Sequence, residues 1–127
     1  MTTAETCLLV AGLLPYLATG LAKARADFDN RRPRDWLAHL DGWRARANAA
    51  QANSFEAFPF FAAAVLCAEW RHVPPGTVDA LALGFIAARL AYLAAYLADA
   101  ATLRSVVWLA GIGCVVALFL AHPLSPS

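Results

Sequence analysis

Charge is scarce in this 127-residue chain: only 15% of its residues are Asp, Glu, Lys or Arg, and they nearly cancel at +1. With 61% hydrophobic residues, that scarcity excludes an ordinary soluble domain, and the length suits one compact unit. The three cysteines, Cys7, Cys67 and Cys114, lie far apart inside apolar segments and form no C-x-x-C pair. They read as small buried hydrophobes. His39, His72 and His122 show no ligand spacing, so no metal is expected. No basic run precedes the first apolar segment and no cleavage site follows it, which favours a retained span over a signal peptide. Internal repeats are absent, and no heptad or small-x-x-x-small pattern fixes an oligomer number. No nucleic-acid module surrounds the basic residues, so nucleic acid is not expected as a partner. The paired broken segments of transporters are missing as well.

What is present is apolar helix. Four spans, at about 6–22, 47–69, 78–98 and 105–121, are each close to the roughly 20 residues that cross a bilayer. They predict an all-α, integral membrane four-helix bundle in a single domain, with the lipid bilayer as its first partner. Seven of the ten Lys and Arg residues fall between Lys23 and Arg46, which places the 23–46 loop in the cytoplasm. Pro33 stops any helix from running through that loop. Pro74-Pro75-Gly76 reads as a tight turn on the outer side, where both termini also belong.

Polar residues interrupt the second and third spans. Arg46, Asn53 and Glu56 follow spacings of seven and three and share one helix face, with Gln51 beside them. Arg89, Tyr92, Tyr96 and Asp99 share a face of the third. At about 1.5 Å per residue, Glu56 lies about 15 Å and Arg89 about 14 Å from the cytoplasmic edge. Depths so similar allow the two charges to meet. One reading is a buried Glu56–Arg89 pair that fixes helix register. The other is a cleft open to the cytoplasm, lined by Arg46, Gln51, Asn53, Glu56, Tyr92 and Tyr96. Pro59 frees the carbonyl of Phe55, which predicts a kink or a local polar contact.

Arg46, Asn53, Glu56 and Pro59 fit the pattern R-x(6)-N-x-x-E-x-x-P, and Ala88–Tyr96 reads A-R-L-x-Y-x-x-x-Y. Two such motifs, in order on adjacent spans, resemble the membrane-associated proteins in eicosanoid and glutathione metabolism (MAPEG). The loop D-N-R-R-P-R is similar to that of small bacterial members, which implies a bacterial inner membrane. The resemblance implies a homotrimer with glutathione, as co-substrate, in a cleft between subunits. It further implies a glutathione-dependent transferase or peroxidase-like enzyme acting on a lipophilic small molecule. Arg46, Gln51, Asn53, Glu56, Arg89, Tyr92 and Tyr96 would then hold glutathione, and Arg104 would stabilise its thiolate. The sequence departs from the better-known enzymes at Ala49, where they carry arginine, and at Ala57, often tyrosine. Arg104 stands one residue later than their spacing from Tyr96, and Lys23 and Arg25 replace arginines at the end of the first helix. These departures support an alternative, a non-catalytic trimeric membrane protein that binds a lipid or an anionic metabolite.

Overall fold

The computed structural model describes residues 1–24 and 27–123, so Arg25 of the basic loop lies outside the described residues. Five helices follow one another: α1 (Thr3–Lys23), α2 (Pro33–Ala38), α3 (Gly42–Trp70), α4 (Pro75–Leu97) and α5 (Ala101–Leu120). Among the described residues there is no strand. Helices α1, α4 and α5 are long and apolar enough to cross a membrane. The remaining long helix, α3, has 29 residues but a polar first half.

The helix ends follow from local chemistry. Thr2 and Glu5 form a reciprocal capping box at the start of α1, and Asp79 Oδ1 accepts the Ala4 N–H at 2.9 Å. Pro33 takes the first position of α2, where its missing N–H is harmless. Pro75 does the same for α4. Pro74-Pro75-Gly76 is therefore a helix start, and the expected tight turn lies one step earlier. There, His72 adopts φ 61, and the Val73 and His72 N–H groups bond back to the Ala68 and Glu69 carbonyls. Asp99, at φ 58, closes α4 in the same way, through Ala100 to Ala95 and Asp99 to Tyr96. Both ends are Schellman closures that use a non-glycine residue in the left-handed region. At the other end of α3, Gly42 (φ 60) turns the chain into the helix five residues before the expected start at 47.

Arginines from α3 and its cap join the long helices at their C-terminal ends. Arg44 Nη2 donates to the Ala24 carbonyl just past α1 (2.9 Å). Arg46 donates from Nε and Nη2 to Leu97 at the end of α4 (3.2 and 3.0 Å). Arg71 donates to Leu118 and Ala121 at the end of α5 (2.8 and 3.0 Å). A cation there meets both free carbonyls and the negative end of the helix dipole.

Small residues let α1 and α3 approach closely. Ala4, Cys7, Ala11, Ala18 and Ala22 are buried on α1, and Ala47, Ala50, Ser54, Ala64 and Ala68 on α3. Of the other cysteines, Cys114 is half-buried, but Cys67 is exposed on α3, against the expectation of burial. The apolar core occupies the half of the molecule where α3 ends and α4 begins. There Phe61 and Phe85 stack 4.0 Å apart at 10°, enclosed with Val65, Val78, Val115 and Leu118. The other half holds the polar residues. Helix α3 continues through Pro59 without a break.

Candidate functional site

A cleft of about 410 Å³ opens between α3, α4 and α5 in the polar half. Asn53, Tyr92, Arg104, Ser105, Trp108 and Leu109 line it. A smaller hollow of about 130 Å³, lined by Asn53, Glu56, Ala57, Phe60, Trp108 and Ile112, extends it along α3 and α5. Asn53 and Trp108 belong to both, so the two form one groove. On α5 the lining positions 104, 105, 108, 109 and 112 keep a helical period and present one face. Trp108 (39% exposed), Leu109 and Phe60 give the groove an apolar outer rim.

The expected site residues divide into three groups. Asn53, Glu56, Tyr92 and Arg104 line the groove. Tyr96 lies just behind it, packed edge-on against Tyr92 (5.6 Å) with the Arg104 guanidinium over its ring (4.5 Å). Arg46, Gln51 and Arg89 lie elsewhere. Two donors of Arg46 are taken by the Leu97 carbonyl. Gln51 precedes Asn53 by two residues, about 200° around the helix, and so faces the opposite flank.

Arg89 is 5% exposed and does not pair with Glu56. Its Nη2 donates to Ser54 Oγ at 3.3 Å, and its guanidinium lies 4.3 Å over the Tyr92 ring. Arg89 and Glu56 lie at similar levels along their helices, since Ser54, which Arg89 meets, is two residues from Glu56. Rotation around α3 keeps them apart: Ser54 faces the interior, while Glu56 is exposed and has no hydrogen-bond or ion-pair partner among the described residues.

Two amide oxygens on α3, Asn53 Oδ1 and Gln51 Oε1, are buried without a hydrogen-bond partner among the described residues. A buried, unmatched acceptor costs about 1–3 kcal/mol, so each marks a place where a donor is missing. Asn53 Oδ1 is the one that belongs to a groove-lining residue. Sequence reasoning missed Ser54, Ser105, Trp108 and Leu109. The last three were reachable by stepping the α5 period from Arg104, whereas Ser54 carried no signal apart from its small size.

A second cavity, about 370 Å³, opens at the far end among Thr2, Glu5, Glu69, His72 and Asp79. Its polar groups already serve helix starts: Glu5 accepts the Thr2 N–H, and Asp79 accepts that of Ala4. Among the described residues, no group of His, Cys, Asp and Glu could hold a metal ion. The groove is thus the better candidate site.

The family model described as the MAPEG family matches residues 3–122, nearly the whole chain. This chain belongs to the MAPEG family. Together with its apolar helices, that makes it a membrane protein. The family includes glutathione-dependent transferases and peroxidases. No curated protein and no solved structure matches the chain.

Proposed function

We propose that this MAPEG protein is a glutathione-dependent transferase or peroxidase-like enzyme acting on lipophilic electrophiles from within the membrane. Asn53 carries the reading: it lines a groove that also holds a cation, Arg104, and its amide oxygen, buried beside that groove, has no donor among the described residues. Glutathione supplies amide and ammonium donors for Asn53 and Glu56, and its carboxylates and thiolate suit a guanidinium. Arg104 would favour the thiolate, which is the nucleophile. The thiolate sulfur attacks the electrophilic carbon, the C–S bond forms, and the leaving group departs with its electron pair. The thiol proton passes to water at the cytoplasmic end. Trp108, Leu109 and Phe60 offer an apolar approach from the acyl chains.

In this reading α1, α3, α4 and α5 form a four-helix bundle, and three copies form a ring in a bacterial inner membrane. The 23–46 loop lies in the cytoplasm and both termini lie outside. A ring joins unlike flanks of neighbouring copies. The flank of α3 that carries Gln51 then faces the groove of the next copy, and the Gln51 amide, whose oxygen is buried against its own subunit, turns outward to meet the same glutathione.

Calorimetry with glutathione tests the assignment: wild type binds, and Asn53→Leu and Gln51→Ala each lose binding. Co-expressing the two variants restores about a quarter of the grooves in a ring, those pairing an intact Asn53 with an intact Gln51. No binding by wild type would reject the assignment, and no recovery on mixing would reject the shared groove.

One observation favours the non-catalytic alternative. Among the described residues, Arg104 is the only cation lining the groove, with Ala57 where many enzymes carry tyrosine. A single cation suits a lipid or metabolite with one anionic group. That reading expects anion binding without thiolate formation.

A further inference from the structure

Arg104 makes no side-chain hydrogen bond or ion pair among the described residues, yet its position would decide what the groove does to an anion. Its guanidinium carbon lies 4.5 Å over the ring of Tyr96. Tyr96 meets Tyr92 edge to face, with ring centres 5.6 Å apart at 69°. The Arg89 guanidinium covers Tyr92 at 4.3 Å and is tied to α3 through Ser54. Five side chains therefore run in unbroken contact, Ser54, Arg89, Tyr92, Tyr96 and Arg104, beginning in the interior and ending at the groove that Tyr92 and Arg104 both line.

We propose that Arg89, Tyr92 and Tyr96 are positioning residues, a stacked ladder that fixes the direction of the Arg104 guanidinium. The physics favours this order of parts. A cation is attracted to the negative face of an aromatic ring, most strongly where water is excluded. A T-shaped pair places the positive edge of one ring against the face of the other, so each rung restrains the next. Arg89 is buried with no carboxylate partner among the described residues, an expensive arrangement that a solvent-facing contact would not need. Held against Tyr92 and Ser54, it forms the fixed inner end of the ladder. Arg104, half-buried at the start of α5, is the working end. The use of an aimed Arg104 rests on the thiolate reading given above, whereas the ladder itself can be tested without any thiol.

The experiment uses whole protein in detergent, labelled with ¹⁵N-arginine. The Arg104 Nε–Hε signal is identified by its loss in Arg104→Lys, and its order is measured by relaxation. Wild type and Tyr96→Phe, which keeps the ring, are expected to show an ordered Arg104. In Tyr96→Leu its order should fall to that of exposed Arg34, and any thiolate signal should drop about tenfold. Arg89→Met should loosen Arg104 in the same direction and Arg89→Lys should restore it. If Arg89→Met does not assemble, Ser54→Ala, which frees the inner cation, takes its place. An Arg104 that is mobile in wild type, or equally ordered in Tyr96→Leu, overturns the ladder. Loss of order in this series with no glutathione bound to wild type rejects the thiol reading and leaves the ladder standing. Glutathione binding with no change of order does the reverse.

Discussion

Where α3 ends and α4 begins, Phe61 and Phe85 stack within a closed apolar cluster. Farther along the same two helices, Ser54 faces Arg89, and Asn53 has an amide oxygen without a partner among the described residues. The first region has what a membrane protein needs to hold its shape: dry contact, small residues at the α1–α3 seam, and capped ends. The second region carries cost that shape alone does not require, namely a buried cation and unmatched acceptors. Polar groups of that kind are retained where they act on something, and the groove lies beside them. The contrast separates the residues that keep the protein folded from those that make it useful.

Substitution in the apolar region should break stability and leave ligand chemistry in proportion to folded protein. Phe61→Ala removes a fully buried ring and its stacking partner's contact, and should lower unfolding stability by about 3 kcal/mol or more. Unfolding in detergent followed by circular dichroism measures it, and a loss below 1 kcal/mol would dissolve the contrast. Next comes Arg71→Ala, which strips the carbonyls of Leu118 and Ala121 of charged donors. It should cost about 2 kcal/mol by the same assay and should fray the end of α5 in amide exchange.

The polar region should respond with the opposite sign. Asn53→Leu removes a buried, unmatched amide, so the unliganded protein should gain about 1 kcal/mol while glutathione binding disappears. A destabilised variant that still binds would move Asn53 to the structural side of the comparison. Smallest are His72→Gly and Asp99→Gly, one at each end of the molecule. Each relieves a left-handed backbone and should stabilise by about 1 kcal/mol or less. Thermal unfolding of both variants should give similar gains. A gain confined to one of them would show that the two closures are not equivalent.

Much of this division was legible in the sequence. Apolar runs marked the helices, and the paired motifs on α3 and α4 pointed to the family that the whole-chain match then established. Depth along a helix was legible too, since rise per residue is fixed. Rotation was harder. Glu56 and Arg89 sit at similar levels, but the interior side of α3 belongs to Ser54, and only the packing of α1 and α4 against α3 determines that. The work of Arg44, Arg46 and Arg71 was hidden for a related reason. Each donates to the end of another helix, and those ends meet only after assembly. Pro74-Pro75-Gly76 misled because proline begins helices as readily as it makes turns, and the turn itself used His72.

The most direct measurement is the ultraviolet absorbance of the thiolate when glutathione is added to purified protein. A rise with wild type that vanishes in Arg104→Leu, while calorimetry still detects bound glutathione, is the predicted result. Bound glutathione that stays a thiol in wild type, or a thiolate that survives in Arg104→Leu, would contradict it.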